Sequence, residues 1–141
     1  MDVLKLTTRG KYGLMAMYEL GANPDVLISA ASIAKRQDIS ETYLEQLLSA
    51  LRKAKLIASI RGAQGGYKLS KPAGEIGIGD ILRALENTTQ VTECIGEEHC
   101  GSTCNCVSRP VYAKIQEGID AALSSMTLLD MVNQQKMEGS L

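Results

Sequence analysis

Cys94, Cys100, Cys104 and Cys106 are the only cysteines of the chain, and all four fall within thirteen residues. Their neighbours are mostly Gly, Glu, Ser and Thr, which cannot build a packed core around buried thiols. Thiolate sulfur is a soft donor, and several such donors on one loop are what an iron–sulfur cluster or a thiophilic metal requires. The spacing is Cys94-x5-Cys100-x5-Cys106, with Cys104 an extra thiol two residues before the last. It contains neither the paired C-x2–4-C of a structural zinc site nor the C-x4-C-x2-C run of a plant-type ferredoxin. His99, the single histidine, lies beside Cys100 and is a secondary ligand candidate. The competing chemistry is a thiol–disulfide switch pairing Cys104 with Cys106, or Cys94 with Cys100. Enzymatic activity is not expected, because the chain offers no assembled base and nucleophile.

The bulk properties say where such a loop must sit. The chain has 141 residues, 45% of them hydrophobic, which suits one compact domain or a domain with an extension. Its aromatic residues are five Tyr, with no Trp or Phe, so the core is expected to be aliphatic and Met-rich. No apolar run approaches the roughly 20 residues of a membrane span, and the N-terminus lacks a signal-peptide apolar region. A cytoplasmic protein without a membrane partner is therefore expected, in a compartment that keeps thiols reduced. The net charge of −1 conceals an asymmetry: residues 1–34 balance to zero, residues 35–72 carry +5, and residues 73–141 carry −6. The basic segment holds Lys35, Arg36, Arg52, Lys53, Lys55, Arg61, Lys68 and Lys71. A local field of this kind permits a polyanion partner despite the acidic total.

The elements around that segment have recognisable periods. Tyr12, Leu14, Met15, Met17 and Tyr18 form a broad stripe on a helix from Thr8 to about Leu20, capped by Thr7 or Thr8 and ended by Gly21-Ala22-Asn23-Pro24. Ser29 opens a short helix through Ala31, Ile33 and Ala34, and Asp38-Ile39-Ser40 makes a tight turn. The next helix runs from about Glu41 to Ala54 with Leu44, Leu47, Leu48 and Leu51 on one face; either Ser40 or the Thr42–Glu45 pair could start it. The period then changes to two, giving strands Ile57–Ile60 and 67–70 around the Gly-rich tip Arg61-Gly62-Ala63-Gln64-Gly65-Gly66. Two helices joined by a short turn and followed by a basic-tipped hairpin constitute a winged helix-turn-helix.

The expected fold class is thus mostly α with a small β-hairpin wing, in two parts. Residues 1–72 form the DNA-binding domain. Residues 73–141 form a helical extension with the Cys-rich loop at 88–108, a helix from about Gly79 to Glu86, and a long helix at 109–123. A last helix is expected from Thr127 to about Gln135, with 136–141 frayed. Ser40, Thr42, Tyr43 and Glu45 stand near the start of the second helix, the end that reaches base edges in a major groove. Arg61 at the wing tip suits the enhanced negative potential of a minor groove. Val111, Ile115, Ile119 and Leu123 recur every four residues, which calls for a partner to cover the long helix. A two-fold homodimer supplies that cover and matches a palindromic operator in double-stranded DNA.

The stretch Leu6-Thr7-Thr8-Arg9-Gly10-Lys11-Tyr12-Gly13-Leu14-Met15-Ala16-Met17 is similar to the N-terminal signature of the IscR-type winged-helix regulators. So are Ile39 to Leu48, Leu51 to Ile57, the wing Arg61 to Tyr67 and the cysteine loop, over roughly residues 5–135. This resemblance implies a homodimeric bacterial transcription factor whose cluster-loaded and cluster-free forms differ in DNA binding, with promoters that include those for iron–sulfur biogenesis. It implies Cys94, Cys100 and Cys106 as cluster ligands, Ser40, Thr42 and Glu45 as base readers, Arg61 as the wing arginine, and Val111 to Leu123 as the dimerisation helix. The fourth ligand departs from the family. A His follows the last cysteine by three residues in the IscR pattern, whereas here Arg109 stands there, with donors and no acceptor. In nitric-oxide-sensing relatives an Asp on the partner's first helix serves, and its match here is Lys11. Cys104 is the first candidate in its place and His99 the second, and a [2Fe–2S] cluster is favoured over [4Fe–4S]. A thiol–disulfide or nitric-oxide-sensing repressor of the same fold is the alternative function.

Overall fold

The computed structural model describes residues 7–86 and 107–139. Its first helix, α1 (Thr8–Ala22), is capped by Thr7, whose hydroxyl accepts from the Arg9 N–H. Helices α2 (Ala30–Gln37) and α3 (Glu41–Lys53) follow, each capped by a serine hydroxyl: Ser29 accepts from Ser32 N–H and Ser40 from Tyr43 N–H. Each cap satisfies a donor that the first turn leaves without a helical partner. Asp38 joins the two helices at φ 54°, a left-handed conformation that a short polar side chain tolerates. Strands β1 (Ile57–Ile60) and β2 (Gly66–Leu69) pair antiparallel, with Ile57 opposite Leu69 and Ile60 opposite Gly66.

Past Pro72 a short 3-10 turn, Ala73–Glu75, leads to α4 (Ile78–Leu85). Beyond residue 106 come α5 (Arg109–Ser125) and α6 (Leu128–Gly139). A reciprocal pair of bonds starts α6: Thr127 N–H donates to Asp130 Oδ2, and Asp130 N–H to Thr127 Oγ1. Fraying from Lys136 was expected, but the helix continues to Gly139.

One buried cluster spans both sides of Pro72. Met17 and Leu20 of α1, the four α3 leucines, Ile76, Ile81 and Leu85 around α4, and Leu128 and Val132 of α6 share it, each no more than 2% exposed. The α3 stripe is buried as its periodicity predicts. The α1 stripe is less uniform, since Met17 is fully buried while Met15 faces solvent. Gly10 and Gly13 bring α4 close: a Cβ on Gly13 would stand 2.0 Å from Leu85 Cδ1. Among the described residues no helix is long and apolar enough to cross a membrane.

Candidate nucleic-acid interface

The first turn of α3 decides what each predicted reader can do. Ser40 Oγ accepts the Tyr43 N–H at 3.0 Å, which holds the start of the helix and leaves the hydroxyl proton and one lone pair for an outside partner. Thr42 and Glu45 are exposed and one turn apart on the same face. Tyr43 is half-buried, its ring edge-on to Tyr12 of α1 at 6.3 Å between centroids and 87° between planes. Of the predicted readers it is the one tied into the packing of α1 on α3.

The wing is set by its glycines. Gly65 N–H closes the tip on Gly62 O at 3.0 Å. Gly66, at φ +155°, passes so close to Ile28 that a Cβ would meet its backbone at 2.9 Å. That approach allows Ile28 and Tyr67 to exchange backbone hydrogen bonds of 3.1 and 2.8 Å, which moor the hairpin to the segment before α2. Arg61 is thereby held at the exposed tip.

Helix and wing meet across one open groove of about 470 Å3, lined among others by Ser29, Glu41, Glu45, Arg52, Ser59 and Arg61. Glu45 and Arg61, singled out from the sequence, therefore share a surface. Ser29, Glu41 and Ser59 were not singled out, and Arg52 was named only as one of the eight basic side chains of residues 35–72. Arg52 stands seven residues after Glu45, on the same helix face, so the helical period alone could have found it. Its Nη1 donates to Ser59 Oγ at 3.3 Å and ties α3 to β1. All eight basic side chains of residues 35–72 are exposed, and Arg36 pairs with Glu19. This surface can hold a phosphate backbone by its cations and offer a hydroxyl and a carboxylate to base edges.

The four-residue row on α5 does not stay on one face. On a helix of 3.6 residues per turn, a step of four overshoots by about 40°, so three steps turn the row by about 120°. Val111 and Ile115 are accordingly 60% and 46% exposed, with Tyr112 beside them at 38%. Ile119 is half-buried, and Leu123 packs on α4, its Cβ 3.1 Å from where a Cβ on Gly79 would stand. Among the described residues, the apolar face left exposed is the N-terminal half of the helix.

Cys94, Cys100, Cys104, Cys106 and His99 lie outside the described residues. Among the described residues no group of three or more His, Cys, Asp or Glu side chains could hold a metal ion. Arg109 opens α5, and Lys11 is exposed on α1 with its ammonium 5.5 Å from the centre of the Tyr12 ring. Neither cation brings a ligand atom.

With this geometry in view, four likenesses are informative. A family model for iron-dependent transcriptional regulators, Rrf2, matches residues 6–134. The HTH-type transcriptional regulator IscR of Serratia proteamaculans is 38% identical over 133 residues, 94% of this chain and 81% of that one. Among solved structures, CymR, the global cysteine regulator of B. subtilis, superposes with a TM-score of 0.79 at 38% identity, covering 94% of this chain and 98% of that one. For T. potens IscR the TM-score is 0.76 at 41% identity, with 94% and 88% covered.

Proposed function

The chain belongs to the Rrf2 family of transcriptional regulators, and from that premise we propose a homodimeric DNA-binding regulator whose operator affinity responds to an iron–sulfur cluster on the Cys94–Cys106 segment. The observation that carries the reading is the shared groove, in which Glu41, Glu45 and Arg52 of α3 meet Arg61 of the wing. Thr42 and Glu45 read base edges from the start of α3, Ser40 contacts the DNA through the remaining capacity of its hydroxyl, and Arg61 enters the neighbouring minor groove. Tyr43 orients α3 against Tyr12. Pairing through Val111, Tyr112 and Ile115 presents two such readers to a palindromic operator.

The donor set suits the cofactor. Cys94, Cys100 and Cys106 supply three thiolates, the softness such clusters take, with Cys104 the first candidate and His99 the second for the fourth place. When bound, a cluster supplies one-electron redox chemistry, and [2Fe–2S] is the type favoured here. Its occupancy changes DNA affinity only by binding two conformations of the protein unequally. The targets include iron–sulfur biogenesis or related iron and redox genes.

Anaerobic purification with iron and sulfide analysis tests this, followed by titration of loaded and stripped protein against duplexes selected from random sequence. The expected result is a coloured protein with stoichiometric iron and sulfide whose two forms differ in DNA affinity. An iron-free protein after anaerobic reconstitution, with affinity that follows oxidant and dithiothreitol, would replace this reading by the thiol–disulfide one.

A further inference from the structure

The ends of α1 and α4 cap each other. Glu86, the residue after α4, is 8% exposed, and its carboxylate accepts three contacts from Thr7: N–H to Oε1 at 3.0 Å, and the hydroxyl to Oε1 and Oε2 at 2.9 and 3.0 Å. The Thr7 hydroxyl in turn accepts from Arg9 N–H at 3.2 Å. In the opposite direction, Arg9 Nε donates to Leu85 O at 3.0 Å, satisfying a carbonyl at the C-terminal end of α4. An anion at the start of α1 and a cation at the end of α4 both have the favourable sign for the helix dipoles. Among the described residues no lysine or arginine forms an ion pair with Glu86, so Thr7 is its main compensation for burial. Gly10 makes room: a Cβ there would stand 2.5 Å from Glu86 Oε1.

Two connections give this clasp a role. Glu86 is the last described residue before the cysteine segment, with residues 87–93 between it and Cys94. Five residues along α1 from Thr7 stands Tyr12, whose ring packs on Tyr43 in the first turn of α3. We infer that Glu86 is a positioning residue that transmits the state of the Cys94–Cys106 segment through Thr7 and α1 to the recognition helix. The inference rests on the proposed function, since it needs two states of that segment. It adds the specific side chains through which they are felt. From Glu86 to Tyr43 the link runs through Thr7, α1 and the Tyr12 ring.

The test compares wild type, Glu86→Ala, Glu86→Gln and Gly10→Ala, each loaded and stripped, against a duplex selected by the wild-type protein. Gly10→Ala keeps every charge and favours the helix, yet wedges the carboxylate away from Thr7, so it decides the matter if Glu86→Ala does not fold. The difference between loaded and stripped affinities should shrink toward a ratio of one by about tenfold in Glu86→Ala and Gly10→Ala, with unchanged iron content, and recover in part in Glu86→Gln, whose amide oxygen still accepts. In stripped protein, amide exchange at Thr7 should accelerate in the first two variants and less in Glu86→Gln. A wild-type ratio well away from one that the folded variants keep within twofold would overturn the inference and leave the proposed function standing. A wild-type ratio of one on every duplex would overturn the proposed function itself.

Discussion

Ile115→Ala tests the proposed dimer most directly, because its expected size follows from the exposure of one side chain. Burying an isoleucine completely is worth about 1.5–3 kcal/mol. Ile115 is 46% exposed in the single chain, so roughly half of that, about 0.7–1.4 kcal/mol, is left to be gained at an interface. Two-fold symmetry uses the residue twice, which brings the total to about 1.4–2.8 kcal/mol, less the small part an alanine methyl retains. At about 1.4 kcal/mol per factor of ten, the dimer dissociation constant rises roughly 10–100-fold. Sedimentation equilibrium over a concentration series reads this constant, and operator titrations should show the same weakening at concentrations below it. The partner comparison is Leu123→Ala. Leu123 already packs on α4, so its loss should lower the melting temperature and move the dimer constant far less. A dimer constant within twofold of wild type for Ile115→Ala would refute the placement of the interface on the first half of α5. So would a larger effect from Leu123 than from Ile115.

Arg61→Ala should cost about 1–3 kcal/mol in operator affinity and lower the salt dependence of binding, read by titrations at several salt concentrations; unchanged affinity and slope would remove the wing from the interface. Ser40→Ala removes the acceptor for Tyr43 N–H and should lower stability by about 1 kcal/mol in urea unfolding, with no change expected if water replaces the cap. Leu47→Ala, at a fully buried position, should cost about 2–5 kcal/mol in the same assay, and a loss below 1 kcal/mol would contradict the described packing. Cys104→Ala should bleach or destabilise the cluster if Cys104 is the fourth ligand, whereas an unaltered absorption spectrum and lifetime would assign that place elsewhere.

Much of the architecture was legible in the chain because its signals are local. Serine caps at 29 and 40 start helices by accepting the N–H three residues on, so sequence and contact coincide. The α3 leucines recur at the helical period and are all buried. Gly62, Gly65 and Gly66 mark the hairpin tip, although β2 begins one residue earlier than its apolar pattern suggested, because Gly66 opposite Ile60 still pairs. The cysteine cluster is equally plain in the sequence, where donor type favours a cluster over a thiol–disulfide switch.

Other features required the folded chain, since the partners are distant in sequence and no period relates them. Ile28 bonds Tyr67 because Gly66 lets two backbones meet, and Arg52 reaches Ser59 only once the hairpin folds back on α3. Thr7 and Glu86 cap each other across 79 residues, a pairing decided by how closely Gly10 and Gly13 admit α4. On α5, residue types alone suggested one continuous stripe from Val111 to Leu123. Helical drift and the position of α4 divided it, covering one end and leaving the other free. Composition and spacing thus set the elements and their chemistry. Packing chose which side of each element is spent on the core and which is left for a partner.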